Sequence, residues 1–408
     1  MNFEIANTSI TDHDAFLQKS LIAVDAAFKN FAPLNESLLL SLSDHSLMTK
    51  KLQNFKNRFS TTVVVGIGGS SLGIQVLQDF FAIKNFIFID NVDALEFSHQ
   101  LAELSDLTKT LWLFISKSGE TIETLASLEL ISQYYQEKAI PLTPNTIVIT
   151  ENKSSTLFKW AQKHDVLQFE IPLIVGGRFS ILSSVGLVPA SLMGLDLSAF
   201  EKGARTALAS KSELVQFVAE VLNSFERNEF ITILWSYSSR FKKFGFWWQQ
   251  LWAESLGKKV NLTGGAASRA STPIPLVGAT DQHSVLQQIA EGAKDKFVVF
   301  LRSEMAESGN MVIKNPQFEV CADLRSKSLG HLLCAEADAT QMSFDALKIS
   351  HVTLKVAQHN EETLGFLFMF FQLAVLALGE ALEINPVNQP GVEHGKILCK
   401  QILADRVH

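Results

Sequence analysis

Residues 111–124, LWLFISKSGETIET, decide how this chain is read. Leu111, Trp112, Leu113, Phe114 and Ile115 carry no charge and suit a strand covered on both faces, the pattern of a parallel sheet. Polarity then changes within one residue. Ser116, Lys117, Ser118, Gly119 and Thr121 bring three hydroxyls, an ammonium and a flexible joint to the carboxyl end of that strand, where a helix is expected to begin. Free N–H groups and the helix dipole favour an anion at such a place. The same residues also suit an ordinary strand-to-helix turn with Ser or Thr as its cap. The stretch alone leaves both readings open.

Strand-helix alternation extends outward on both sides. Upstream, residues 61–65 read as a strand running into Gly66-Ile67-Gly68-Gly69-Ser70-Ser71-Leu72-Gly73, followed by a helix to Phe81 and a strand over 86–89 that ends at Asp90. That order is the one a dinucleotide-binding unit shows, but Ser71 stands where its third glycine belongs and the next glycine comes two residues late. A nicotinamide-dependent oxidoreductase is therefore disfavoured. What survives is a backbone able to approach a ligand closely at Gly69, with Ser70 beside it. Residues 1–58 have apolar positions such as Phe16, Leu17, Leu21, Val24, Ala27 and Phe28 at helical spacing and read as a helical arm.

Downstream, a helix from Thr121 ends before Pro141, strands follow at 146–149 and 169–171, and Gly176-Gly177-Arg178 places a guanidinium beside a flexible turn. Arginine suits an oxyanion because it is always charged and forks two donors; a surface arginine after a turn is the plainer alternative. Residues 183–194 read as a packed helical connection. The second half repeats the plan, with helices at 214–225 and 246–256 and strands at 230–234 and 296–301. Two parallel α/β units are expected, divided as a helical arm over 1–58, a first unit over 59–190, a second over 191–385 and a terminal segment with a helix over 386–408.

The 408 residues are 47% hydrophobic and 19% charged, a globular composition, and the net charge of −7 excludes a basic footprint for nucleic acid. Cys321, Cys334 and Cys399 are too few and too scattered for a disulfide framework or a zinc site and read as buried reduced thiols. The start of the chain carries Glu4, Asp12 and Asp14 without a basic, then apolar, leader, so no signal peptide is expected. Residues 363–379 form the longest uncharged run, slightly short of a spanning helix and interrupted by Gln372, which suits a buried central helix in a soluble protein.

Three more places can carry chemistry. Gln250 and Glu254 are four apart and share a helix face. With Trp247, Trp248, Leu251 and Trp252 nearby, Glu254 is expected in apolar company, which would raise its pKa and suit a base; a surface pair with Lys258 is the alternative. His283 falls in the turn GATDQHS, residues 278–284, at the start of a helix. Lys396 lies about one turn into the terminal helix, behind the proline-stiffened residues 385–391 that contain Gln389.

Taken in order, VVVGIGGSSLG, ISKSGETIET, GGRFSILSSVGLVPASLMGLD, WAESLGKK, GATDQHS and NPVNQPGVEHGK resemble the successive signatures of the glucose-6-phosphate isomerase family, from about residue 60 to the C-terminus. The resemblance implies two sugar-isomerase domains, each a mainly parallel sheet flanked by helices. It implies interconversion of glucose 6-phosphate and fructose 6-phosphate through an enediol(ate), in glycolysis and gluconeogenesis, with no metal or redox cofactor. Ser116, Lys117, Ser118 and Thr121 would hold the phosphate, Gly69 and Ser70 would line the sugar site, and Gln250 and Gln389 would position substrate. Glu254 would carry the proton between C2 and C1, Arg178 would stabilise the enediolate oxygen, and His283 and Lys396 would assist ring opening. The histidine is expected from a partner subunit, which makes the expected protein a cytosolic homodimer without nucleic-acid or membrane partners. Glu120, Asp281, Asn388 and His394 depart from the family pattern, and the Glu120 carboxylate is expected to face away from the phosphate.

Overall fold

The short β-branched and apolar runs of this chain become strands, and in the computed structural model, which describes residues 3–6, 13–43, 45–56, 58–303 and 311–405, they assemble into two sheets. In chain order the strands are β1 (Phe3–Ala6), β2 (Thr61–Val65), β3 (Phe86–Ile89), β4 (Thr110–Ile115), β5 (Thr146–Thr150), β6 (Leu167–Glu170), β7 (Ile231–Tyr237), β8 (Thr272–Val277), β9 (Lys296–Ser303) and β10 (His351–Val356). The first sheet has the order β3-β2-β4-β5-β6 and is parallel throughout, with Val65 opposite Phe114 and Trp112 opposite Thr146. The second has the order β1-β10-β9-β7-β8 and is parallel except for β1, which pairs antiparallel with β10.

The first sheet reverses direction at β2 and the second at β7. The chain leaves β2 for β3 on one side and returns to β4 on the other, so a crevice opens at the carboxyl ends of β2 and β4, where open α/β sheets bind ligands. The glycine turn after β2 and the hydroxyl-rich turn after β4 both end in that crevice. Gly66 is so close to the end of β4 that a Cβ there would stand 2.9 Å from the Ile115 carbonyl oxygen.

Strand alternation sorts side chains between cores. On β4, Leu111, Leu113 and Ile115 face a large central core, while Trp112 and Phe114 face a separate outer one; on β9, Phe297, Val299 and Leu301 face the central core, and Val298 and Phe300 a third. The helix Glu361–Ala381 runs through the central core and is buried from Thr363 to Gly379. Its length and apolarity would pass for a membrane span, but it is enclosed by the molecule's own helices, as its sequence suggested. Burying each large apolar side chain there contributes about 1.5–3 kcal/mol. It meets the helix Leu197–Ala209 backbone to backbone: a Cβ on Gly365 would lie 2.2 Å from the Phe200 carbonyl oxygen, and one on Gly203 1.9 Å from that of Glu362.

Several expectations need correction. The N-terminal arm is helical over His13–Asn30, Ala32–Ser43 and His45–Leu52, but residues 3–6 are the edge strand β1. The strands β8 and β10 were not anticipated. Pro273 and Pro275 argue against a central strand, and β8 accommodates them because it is an edge. The cysteines are free but not buried: Cys399 is exposed and Cys321 and Cys334 are half-buried.

Candidate functional site

Arg178 is the centre of the constellation. It lies in the short 3-10 segment Gly177–Leu182, and its side chain is buried although it is charged. Nε donates to Ser255 Oγ at 2.8 Å; Nη1 donates to Glu254 Oε2 at 3.2 Å and to Gln389 Oε1 at 2.7 Å; Nη2 donates to the carbonyls of Pro386 and of Asn388, the latter at 3.1 Å. These partners account for all five guanidinium N–H groups. Burial lowers the pKa of Arg178, and the Glu254 carboxylate opposes that.

Glu254 sits in the last turn of the helix Lys242–Leu256, where helical periodicity turns Trp248, Leu251 and Trp252 into the core and the carboxylate away from them. Its surroundings are therefore polar, not the apolar company expected. Oε2 meets Arg178 and Oε1 accepts from Gln250 Nε2 at 3.0 Å, so the i, i+4 spacing does place the two together. Nor does Glu254 form a surface pair with Lys258, whose ammonium reaches the main-chain carbonyl of Glu254 instead, at 2.6 Å. Gln250 Oε1 is buried and has no hydrogen-bond partner among the described residues, an acceptor suited to a substrate hydroxyl. Across from it lies Gly68, where a Cβ would stand 3.0 Å from Gln250 Nε2.

The glycine turn has a further reason for its composition. A Cβ on Gly69 would be 2.2 Å from the Gly177 carbonyl oxygen, so the close approach at this residue is to the Arg178 segment of the same chain. Ser70, next to it, is half-buried. Asp90 does not await a ribose: its Oδ2 accepts from Gln75 Nε2 at 2.5 Å and from Ser71 Oγ at 3.3 Å.

After β4, Ser116 is buried and its Oγ lies 2.8 Å from Thr121 Oγ1, while the Gly119 N–H donates to Ser116 Oγ at 3.1 Å and the Glu120 N–H to Ser118 Oγ at 3.1 Å. Thr121 stands at the N-cap of the helix Ile122–Glu137 but makes no side-chain capping bond. The capping alternative thus fails at its defining contact, and Thr121 gives the first-turn N–H groups no side-chain cap. Thr124, one turn on, is buried with its hydroxyl unpaired among the described residues. Lys117 Nζ lies 3.4 Å from the buried Glu151 carboxylate, which also holds Lys153. Glu120 points elsewhere: Oε1 accepts from the Thr156 N–H at 2.7 Å and Oε2 from Thr156 Oγ1 at 2.8 Å, and these bonds hold its pKa below the ordinary 4.5.

The remaining sequence candidates lie outside the Arg178 network. His283 is exposed at the end of the short turn Thr280–His283, not in the first turn of a helix. The turn is pinned by Asp281, which accepts from the Val277 N–H at 2.7 Å, and by Gln282, which donates to Tyr237 Oη at 2.8 Å and Thr340 Oγ1 at 2.6 Å. Lys396 is exposed on the helix Glu393–Asp405, none of whose residues is buried, and pairs with Glu393 at 2.8 Å. Sequence reasoning missed Ser255, Thr124 and Glu151, and it read Lys258 only as a surface partner of the Glu254 carboxylate. Ser255 and Thr124 had a local signal, adjacency to Glu254 and i+3 spacing from Thr121; Glu151 and the Lys258 contact with Asn388 are brought in by tertiary packing.

A family profile described as phosphoglucose isomerase matches residues 50–407. A probable glucose-6-phosphate isomerase from Methanococcus maripaludis is 32% identical over 377 residues, covering 89% of this chain and 83% of that protein. A glucose-6-phosphate isomerase from Campylobacter jejuni is 35% identical over 375 residues, covering 89% of each. The crystal structure of a glucose-6-phosphate isomerase from Chlamydia trachomatis superposes with a TM-score of 0.84 at 22% identity, covering 98% of this chain and 88% of that one, and shares the fold.

Proposed function

The chain belongs to the phosphoglucose isomerase family, its reaction is the aldose–ketose interconversion of glucose 6-phosphate and fructose 6-phosphate, and we propose that the Arg178–Glu254 cluster is the centre where the proton moves. The observation that carries this assignment is the Glu254 carboxylate held between Arg178 Nη1 and Gln250 Nε2 beside the switch point of the first sheet. Glu254 takes the proton from C2 of the open-chain aldose and electron density passes to O1 as the C1–C2 enediolate forms; the proton of the C2 hydroxyl is transferred to O1, and the same carboxylate returns its proton to C1 as the C2 carbonyl appears. No atom is gained or lost. A preorganised cation beside the developing oxyanion is the largest expected electrostatic contribution. Since every N–H of Arg178 is engaged, an Nη1 N–H exchanges Gln389 Oε1 for the substrate oxygen as that charge develops.

The phosphate end fits residues 116–124. Ser116, Ser118 and Thr121 offer hydroxyls, the uncapped first turn offers N–H groups, Thr124 adds an unpaired hydroxyl, and Lys117 supplies charge. The fixed Thr156 contacts of Glu120 support a carboxylate directed away from that anion. Gly69 abuts the Arg178 segment and Gly66 abuts the end of β4 from which the cradle starts, which supports Gly69 and Ser70 as the lining of the sugar site. Ring opening falls to His283 and Lys396 in a cytosolic homodimer, with His283 coming from the partner; its exposure on a rigidly pinned turn supports this reading. The direct test is formation of fructose 6-phosphate from glucose 6-phosphate in a coupled assay, with chelator present and no cofactor added. Conversion is expected; activity that chelation abolishes and a divalent metal restores would overturn the cofactor-free mechanism.

A further inference from the structure

Lys258 has no role in the chemistry described so far, yet it stands just beyond the helix that carries Gln250 and Glu254. Its ammonium donates to the main-chain carbonyls of Glu254 and Asn388. The Asn388 carbonyl also accepts from Arg178 Nη2, and the next residue, Gln389, gives its Oε1 to Arg178 Nη1. Two cations therefore converge on one carbonyl in the segment that delivers Gln389. Glu254 lies in a last helical turn, where carbonyls lack intrahelical donors, and Lys258 fills one of them.

We infer that Lys258 is a positioning residue for the isomerisation, its charged ammonium stapling the end of the Glu254 helix to the 386–389 segment so that Arg178, Gln389 and Glu254 keep their mutual geometry. This rests on the reading of the Arg178–Glu254 cluster as the isomerase centre. Asn388 and Gln389 are exposed, and among the described residues their side-chain-mediated hydrogen bonds to the cluster come from Arg178 and Lys258. Displacements of about 1 Å at catalytic groups can cost on the order of 100-fold in rate.

The staple is sensitive to pH. Burial first, then repulsion from Arg178, lowers the Lys258 pKa from 10.5 to about 8, and Glu254 opposes this. Among the described residues, Arg178 and Glu254 are the charged groups that act on it. The ammonium is present below that value and is lost as pH rises through it; with it goes the charge assistance that makes such hydrogen bonds roughly twice as strong as neutral ones.

The test is kcat and KM for Lys258→Met and Lys258→Arg from neutral to alkaline pH, with Glu254→Gln measured in parallel. Lys258→Met is expected to lose about tenfold in kcat near neutrality, the equivalent of one charged hydrogen bond, with a smaller change in KM and no alkaline limb near 8. Lys258→Arg, charged at every accessible pH, is expected to recover most of that loss and to move the limb upward by more than about one pH unit. Parent kcat with the parent limb in Lys258→Met, or an unmoved limb in Lys258→Arg, overturns the inference. If Lys258→Met does not fold, the limb in Lys258→Arg decides alone. Full turnover by Glu254→Gln would show that the centre itself is misplaced, and the role of Lys258 would fall with it.

Discussion

A lysine at position 178 would keep the charge and lose the fork. Arg178 gives separate donors to Ser255, Glu254, Gln389, Pro386 and Asn388, and an ammonium can meet at most three of them. Arg178→Lys should lower kcat by about 10²–10³, the cost of removing an oxyanion donor. It should also lower thermal stability, because each buried carbonyl left unpaired costs about 1–3 kcal/mol. Steady-state kinetics and a melting curve check both; near-parent turnover would remove Arg178 from the mechanism. Glu120→Ala should behave in the opposite way, leaving KM for the sugar phosphate unchanged and lowering stability through the lost contacts to Thr156. The folded-state pKa of Glu120 is depressed, so its contribution is full above the ordinary carboxylate value and is lost as pH falls through the depressed one. The melting difference between Glu120→Ala and the parent should therefore shrink in acid. At this scale residue types were legible and surroundings were not. Glu254 was read among tryptophans because they are its neighbours in sequence, whereas helical periodicity sends them into the core and the carboxylate toward Arg178.

Among the elements, the helix Glu361–Ala381 depends on its glycine contact with the helix Leu197–Ala209. Gly365→Ala would set a methyl carbon 2.2 Å from the Phe200 carbonyl oxygen, a backbone atom that yields only if the helices separate. We expect a loss of about 1–3 kcal/mol or more, measured by thermal or denaturant unfolding; an unchanged melting temperature would show that the two helices are not held at this distance. The strands of the first sheet were legible because a strand covered on both faces is an uninterrupted apolar run. β8 was hidden by Pro273 and Pro275, tolerated at a sheet edge, and β1 by its separation in sequence from its partner β10. The turn at 116–121 shows the same limit: its sequence fits a cap or an anion cradle, and only the missing side-chain bond at Thr121 separates them.

For the whole molecule, two parallel sheets could be read from the alternation of elements, but not the single central core that joins them, which arises from contacts between distant segments. The same holds for assembly. His283 and Lys396 are exposed and stand apart from Arg178, and the partner subunit's contribution of the histidine can be tested by complementation. Mixing inactive Glu254→Gln and His283→Ala chains under conditions that exchange subunits should restore about a quarter of parent activity, since half the random dimers are mixed and one of their two sites is intact. No recovery would place the histidine in its own chain's site. The account as a whole turns on Glu254 as the group that moves the proton between C2 and C1. The most direct measurement is isomerisation in heavy water by the parent and by Glu254→Gln, with deuterium entry at C1 of the ketose and turnover followed together. The parent should incorporate deuterium, while Glu254→Gln, folded and still binding sugar phosphate, should lose both incorporation and turnover by about 10²–10⁴-fold; deuterium entry at the parent rate in Glu254→Gln would contradict the account.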